Sequence, residues 1–145
     1  MPVQPATADD VRPLRHAVLR AGQPFATVVY PADALPETFH AAATDEAGRI
    51  VGVATVGPEG HPDGAEPGDW RLRGMATDPD VRGRGFGAEA LRAVLDHARA
   101  QGGTRVWCNA RAGARGFYEH EGFVYDSDEF ELPDIGPHYV MSVRL

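Results

Sequence analysis

The chain has 145 residues and a formal net charge of −7, with 21 acidic side chains against 14 basic ones, all of which are arginine. The length fits a single domain over residues 1–145, and the acidity argues against non-specific binding to nucleic acid or to an anionic membrane. The absence of lysine excludes the lysine-dependent phosphate loop of nucleotide hydrolases and Schiff-base catalysis by a side chain.

Cysteine and histidine usage narrows the possible chemistry further. Cys108 is the only cysteine, so an intramolecular disulfide and a thiolate metal cluster are excluded. The six histidines show no metal-ligand spacing, and we expect no metal site. The first residues have neither a charged leader nor an apolar core, and no later segment is apolar enough to cross a bilayer. We therefore expect a cytoplasmic protein.

The first half of the chain predicts one helix and three strands. Thr7 and Asp10 have the spacing of a capping box, and apolar residues then recur at helical intervals to about Arg20. Residues 22–36 are rich in proline and predict a loop. The strands are rich in apolar and β-branched residues, and the first two form a hairpin. They are predicted over residues 38–44, 49–56 and 69–77.

The second half alternates strands with helices. Its clearest helix has Leu91, Val94, Leu95 and Ala98 on one face. Helices are predicted over residues 87–101 and 112–121, and strands over 105–109, 123–125 and 138–143. Strands joined by crossover helices are typical of a mixed α/β fold with a central sheet.

A glycine-rich stretch, residues 82–87, lies between the third strand and the following helix and reads Arg-Gly-Arg-Gly-Phe-Gly. A helix start presents unpaired N–H groups and the positive end of its dipole, and glycines allow the backbone to approach a phosphate closely. Two arginines add donors that suit phosphate oxygens. Alone, the hexapeptide fits either a phosphate site or an ordinary glycine-rich turn.

The same stretch also matches the dinucleotide-binding pattern in form. Such a site normally has an acidic residue about 20 positions further on, which binds a ribose hydroxyl. Residues 103–108 contain none. A dinucleotide-dependent oxidoreductase therefore remains only a minor alternative.

From about Thr38 to Leu145 the sequence resembles the GNAT family of N-acetyltransferases. Residues 82–87 match the family signature Arg/Gln-x-x-Gly-x-Gly/Ala, and residues 75–79 look like the family's bulged fourth strand and its exit. Residues 109–123 are similar to the family segment N-x-x-A-x-x-F-Y-x-x-x-G-F. The resemblance implies the GNAT fold, a mostly antiparallel central sheet with splayed parallel strands and flanking helices.

The resemblance also implies an acetyl-CoA site along the strand exit and the glycine loop. The loop amides would bind the pyrophosphate, the bulged strand would offer backbone groups to the pantetheine arm, and a strand splay near Asn109 would admit that arm. Phe117 is expected to pack in the core beside this site. The residues expected to bind the co-substrate are Met75, Ala76, Thr77, Arg82, Gly83, Arg84, Gly85, Phe86, Gly87, Asn109 and Phe117.

Tyr118 is the residue that the resemblance favours for acid catalysis. Acetyl transfer needs a neutral amine, a donor for the developing oxyanion and an acid that protonates the departing thiolate. The Tyr118 hydroxyl could supply the acid, and a backbone N–H near residues 75–76 could bind the oxyanion.

The general base is not assigned by the sequence. Acidic candidates are Glu66, Asp69, Glu129 and Glu131, the last two in a predicted loop, and many such enzymes deprotonate the amine through water. Residues 135–141 look like a Gly-Ile-Pro-His-x-x-Met segment of small ElaA-type acetyltransferases, with the first two residues exchanged. In that interpretation His138 faces the acceptor pocket as a second catalytic residue. His97 and His120 are expected to be exposed on helices.

These observations predict an acetyl-CoA-dependent N-acetyltransferase. It would act on a primary amine of a small molecule or peptide by direct attack in a ternary complex, as a monomer or homodimer without nucleic-acid or membrane partners. A non-catalytic acyl-CoA-binding or regulatory domain is the alternative from another functional class.

Overall fold

The computed structural model describes residues 2–145, which form eight strands and three α-helices around one sheet. The helices are α1 (Ala8–Leu19), α2 (Phe86–Ala100) and α3 (Arg115–His120). The strands are β1 (Val3–Ala6), β2 (Phe39–Thr44), β3 (Ile50–Pro58), β4 (Asp69–Thr77), β5 (Arg105–Arg111), β6 (Val124–Tyr125), β7 (Phe130–Leu132) and β8 (Gly136–Arg144).

The strands follow the spatial order β1-β2-β3-β4-β5-β8-β6, and β7 pairs with the other end of β8. All pairs are antiparallel except β4 and β5, which are parallel. The predicted mixed α/β class is confirmed, and so is the mostly antiparallel sheet. The parallel pair in the middle of the sheet is the feature that creates the site described below.

The helices cover opposite faces of the sheet because successive strand residues point to opposite sides. Ala42 and Val53 pack in the cluster beneath α1, whereas their neighbours Ala41 and Ala54 pack in the larger cluster beneath α2. Helix α3 adds Tyr118 to the α2 cluster. The two sides are called the α1 face and the α2 face hereafter.

The capping box predicted for the first helix is present. Thr7 accepts a hydrogen bond from the Asp10 amide, and the Asp10 carboxylate accepts one from the Thr7 amide. The loop after α1 contains two short 3₁₀ turns, Phe25–Val28 and Pro31–Ala34, rather than a second α-helix.

Two strands were not predicted from the sequence. β1 pairs with β2 through Val3–Ala6, and β7 places Glu131, which was expected in a loop, opposite Pro137. Both strands are short, and β1 lies at a sheet edge where Pro5 is tolerated. A three- or four-residue strand shows too little alternation to be recognised before its partner strand is known.

No helix among residues 2–145 combines the length and hydropathy needed to cross a membrane.

Candidate active site

The β4 strand contains the predicted bulge. Val53 pairs with Ala76 and Thr55 pairs with Arg73, so the single residue Ala54 faces two residues of β4. One of the two, Gly74, has φ +60°. A bulge leaves local backbone groups outside the regular ladder and re-aims the strand, which here happens just before its exit towards the glycine loop.

Arg15 supports this bulge from the α1 face. It is fully buried, and its guanidinium donates to the Val28 carbonyl at 2.8 Å and to Asp33 Oδ2 at 2.8 Å. A Cβ placed on Gly74 would lie 2.6 Å from Arg15 Nε, so the guanidinium packs directly on the bulge backbone. The loop after α1, the helix itself and β4 are thereby fixed to one another.

The two parallel strands separate before the bulge is reached. β4 and β5 pair only from Asp69 with Arg105 to Arg71 with Trp107. Both strands continue past this point, to Thr77 and Arg111, without pairing to each other. The strand splay expected near Asn109 is therefore present as an open wedge in the centre of the sheet.

The glycine loop lies at the end of β4 and leads into α2. Gly83 and Gly85 have φ of +83° and +89°, and residues 82–85 are exposed. The N-cap of α2 is Gly85, which has no side chain to satisfy the first amides of the helix. The amides of the first turn therefore remain available to an anion.

Gly87 is where three of the predicted elements meet. A Cβ at this position would lie 2.5 Å from Thr77 Oγ1, 3.4 Å from Met75 Cε and 3.8 Å from Phe117 Cε1. The exit of β4, the start of α2 and helix α3 thus pack closely against one another at Gly87, which the missing side chain makes possible.

Tyr118 lies in the α2-face core, with its ring centroid 5.2 Å from those of Phe117 and Phe123. Phe117 packs against this core as expected, but Tyr118, expected for the chemistry, is the more buried of the two, since it is 6% exposed and Phe117 is half-buried. Helix α3 is one and a half turns long, and its rotation about the sheet could not be determined from two adjacent aromatic residues.

The environment of Tyr118 keeps its phenol protonated. Burial raises the pKa of Tyr118 well above its usual value, nearby Cys108 adds to the rise, and Arg111 opposes it. Among residues 2–145, the fully buried side-chain nitrogens and oxygens without a hydrogen-bond partner are the Nε atoms of Arg12, Arg15 and Arg71. The Tyr118 hydroxyl, on a buried side chain, also has no hydrogen-bond partner among these residues and is not one of those fully buried atoms.

Asn109 points to the α1 face, as do Trp107 and Arg111 on the same strand. Asn109 is not at the position of the asparagine in the motif N-x-x-A. That position lies three residues before Ala114 and holds Arg111, two residues after Asn109.

A cavity of about 360 Å³ opens beside Asn109. Its walls come from two loops and two strands, and they consist of Pro62, Asp63, Trp107, Asn109, Ser127, Phe130 and Val140.

His138 lies on the α1 face, opposite Arg111 on the neighbouring strand, and is buried. Its Nδ1 donates to the Gly136 carbonyl at 2.8 Å, because a carbonyl oxygen can only accept. In the tautomer that has its hydrogen on Nδ1, the lone pair of the ring lies on Nε2. Tyr118 and His138 thus lie on opposite faces of the sheet, one with a proton to donate and the other with a site to accept one.

The other base candidates are engaged elsewhere or exposed. Asp69 accepts two hydrogen bonds from Arg105, which hold the pKa of its carboxyl far below the usual range. Glu66 is paired with Arg144, while Glu129 accepts only a long 3.5 Å bond from Tyr139. Asp69 and Glu66 therefore fix the loop before β4 rather than accept protons.

Two remaining sequence expectations concern Cys108 and His97. Cys108 is buried, and burial raises the pKa of its thiol, which makes it a poor nucleophile. His97 is not exposed as expected, because its ring stacks on Phe39 with centroids 4.0 Å apart and meets the edge of Trp70. His120 is exposed.

Comparisons with known proteins agree with this geometry. The model of the acetyltransferase (GNAT) family matches residues 9–123. An uncharacterized N-acetyltransferase of Bacillus subtilis, YitI, is 31% identical over 140 residues, which cover 96% of this chain and 93% of YitI.

Solved structures share the fold at low identity. Escherichia coli ElaA superposes with a TM-score of 0.77 at 18% identity, covering 97% of each chain. An aminoglycoside 6′-N-acetyltransferase in complex with coenzyme A superposes with a TM-score of 0.72 at 13% identity, covering 99% of this chain and 97% of that one. Together with the family match, these findings establish that the chain belongs to the GNAT family and is an N-acetyltransferase.

Proposed function

We propose that the protein transfers an acetyl group from acetyl-CoA to a primary amine by direct attack in a ternary complex. The observation that carries this proposal is the convergence at the β4–β5 wedge. The exit of β4, the uncapped start of α2 and the Phe117 ring of α3, next to Tyr118 in the chain, meet where β4 and β5 no longer pair.

The pyrophosphate of acetyl-CoA would bind at residues 82–87. The first-turn amides of α2, the positive end of its dipole and the guanidinium groups of Arg82 and Arg84 provide donors and charge of the required sign. The pantetheine arm would run along the exit of β4, past Met75 and Thr77, where the strand no longer pairs with β5. The bulge in β4 would direct an N–H of residues 75–76 at the thioester oxygen.

In the reaction the amine nitrogen bonds to the carbonyl carbon and the carbon–sulfur bond breaks, giving an amide and free CoA. The amine must lose a proton and the thiolate must gain one. Tyr118 holds the proton for the thiolate. His138 Nε2, directly or through water, would accept the proton of the amine, and the cavity beside Asn109 would hold the acceptor.

Direct transfer is favoured over an acetyl-enzyme intermediate. The single thiol, Cys108, is buried and held protonated, and the chain has no lysine. Initial velocities measured against both substrates should therefore give intersecting lines in double-reciprocal plots. Parallel lines would indicate a covalent intermediate and contradict the ternary complex.

Binding experiments test the donor and separate the alternatives. Acetyl-CoA and CoA should raise the melting temperature in a concentration-dependent way, because a ligand that binds the native state stabilises it. NAD and NADP should not. Release of thiol from acetyl-CoA in the presence of a panel of amines then distinguishes an enzyme from a domain that only binds acyl-CoA. The proposal fails if acetyl-CoA gives no shift or the dinucleotides give a larger one.

A further inference from the structure

The arginines of this protein divide into those with carboxylate partners and those without. Among residues 2–145, nine of the 14 arginines form ion pairs. Arg82 and Arg84 lie in the glycine loop, and Arg115 is exposed at the start of α3. The remaining two, Arg20 and Arg111, lie together in a half-buried position although the chain has 21 acidic side chains.

Arg20 and Arg111 converge on a single acceptor. Arg20 Nη1 donates to the Leu19 carbonyl at 2.8 Å, and Arg111 Nη2 donates to the same oxygen. That carbonyl lies at the C-terminal end of α1, whose partial negative charge is about half an elementary charge. Two full positive charges therefore share a partial negative one. Burial, and next the charge of Arg20, lower the pKa of Arg111, as expected for a cation that lacks a counter-ion.

The pair lies on the acceptor side of the wedge. Arg111 is the last residue of β5 on the α1 face, two residues beyond Asn109 and opposite His138. Its charge also acts on Tyr118, because it opposes the rise that burial causes in the pKa of that phenol. The phosphates of acetyl-CoA are assigned to the glycine loop, and the pantetheine arm is uncharged. The donor substrate thus supplies no counter-ion here.

We propose that Arg20 and Arg111 bind a carboxylate of the acceptor, so that the acceptor class is amino acids or similar amines that carry a carboxylate. This inference rests on the proposed function. Two planar guanidinium groups match the oxygens of a carboxylate with charge-assisted hydrogen bonds. The cavity beside Asn109, with Trp107, Phe130 and Val140 in its walls, offers an apolar space for the remainder of the acceptor.

Kinetics with matched acceptors test this assignment. Glycine, alanine, leucine and phenylalanine are compared with their carboxamides at saturating acetyl-CoA, with thiol release as the readout. We expect kcat/KM to favour the best carboxylate over its amide by at least about tenfold, since hydrogen bonds to charged groups are the stronger ones. Arg20→Gln and Arg111→Gln should bring the ratio close to one, and Arg111→Lys should restore part of it.

The controls separate this inference from the proposed function. Arg99→Gln removes the same charge from the exposed end of α2 and should keep the carboxylate preference. Acetyl-CoA affinity should remain within about twofold in Arg20→Gln and Arg111→Gln. If wild-type protein does not bind acetyl-CoA, the proposed function fails. If it binds acetyl-CoA and acetylates carboxamides as well as carboxylates, only the present inference is overturned.

A binding measurement covers the case in which turnover is slow. N-acetyl derivatives of the same four amino acids, and their carboxamides, are titrated into wild-type protein in the presence of CoA. Tighter binding of a carboxylate that disappears in Arg20→Gln supports the assignment. Equal binding of both series, no carboxylate-dependent binding, or tighter binding of N-acetyl-phosphoethanolamine than of every carboxylate overturns it.

Discussion

Burial of Tyr118 and the hydrogen bond of His138 suit the two side chains to opposite roles. The raised pKa of Tyr118 keeps its hydroxyl protonated at neutral pH, so that it can donate a proton and cannot serve as a base. His138 donates from Nδ1 to the Gly136 carbonyl and keeps Nε2 free to accept. Because the two residues lie on opposite faces, the thiolate and the amine could exchange protons from opposite sides of the wedge.

Replacement of Tyr118 by phenylalanine should remove the acid and preserve the packing. We expect kcat to fall by about 10²–10⁴-fold, the usual contribution of a positioned general acid. The acetyl-CoA-induced shift in melting temperature should match that of the wild type. Tyr125→Phe removes a hydroxyl from an exposed tyrosine of β6 and should leave kcat unchanged. Full turnover in Tyr118→Phe would exclude the hydroxyl from the mechanism.

The junction of β4, α2 and α3 depends on the absence of a side chain at residue 87. Thr77 Oγ1, Met75 Cε and Phe117 Cε1 surround the position that a Cβ would take. Gly52 has a related role on the neighbouring strand, because a Cβ there would lie 3.1 Å from the Phe86 carbonyl oxygen. Glycines therefore allow the start of α2 to pack close to the sheet.

Gly87→Ala should disturb this junction. The added methyl group would lie 2.5 Å from Thr77 Oγ1, so we expect a loss of about 1–3 kcal/mol in the free energy of unfolding, as for other overpacked sites. Acetyl-CoA affinity should fall at least about tenfold, because the start of α2, whose amides are proposed to bind the pyrophosphate, is displaced from the end of β4. Urea denaturation and ligand titration measure the two effects.

The matched control is Gly116→Ala in α3, where a Cβ would meet nothing within 4 Å. Alanine is favoured in a helix, and a gain of about 0.5 kcal/mol is expected. If both substitutions had the same effect on stability and on ligand affinity, the close contact at Gly87 would not control the junction.

Elements with strong local signals could be predicted from the sequence, and features formed between distant segments could not. The capping box of α1, the apolar stripe of α2 and the glycine loop each lie within a few residues, and the structure has all three. β1 and β7 are recognisable only through their partners β2 and β8. The Arg20–Arg111 pair joins residues 91 positions apart, and neither arginine stands out locally.

A buried hydrogen-bond network on the α1 face connects α1 and the loop after it to strands β3 and β2. Asp33 receives hydrogen bonds from Arg15, and Arg15 Nη2 donates to Thr55 Oγ1 at 2.9 Å. The Thr55 hydrogen is then free to point to His40 Nδ1, 2.7 Å away. In this arrangement His40 is neutral, and a proton on Nδ1 would conflict with the hydrogen that Thr55 donates.

This hydrogen-bond network should make the whole protein less stable in mild acid. Burial lowers the pKa of His40 below its ordinary value of 6.5, the charges of Arg15 and Arg12 reinforce the change, and Asp33 opposes it. The unfolded chain therefore takes up the proton first. The contribution of neutral His40 is complete above about pH 6.5 and is lost as the pH falls through its lower folded-state pKa.

Urea denaturation between pH 7.5 and 5 should show the free energy of unfolding decreasing on acidification, by at most about 1.4 kcal/mol per pH unit for one proton.

The glutamine of His40→Gln cannot titrate, yet its amide oxygen can accept the Thr55 hydrogen. The free energy of unfolding of this variant should therefore change less with pH over this range. His120→Gln removes an exposed histidine and should keep the wild-type slope. The carboxylates Asp33 and Asp69 also have lowered pKa values, but their contribution to stability is lost below about pH 5, outside the range measured. Equal slopes for wild type and His40→Gln would show that another group senses the acid.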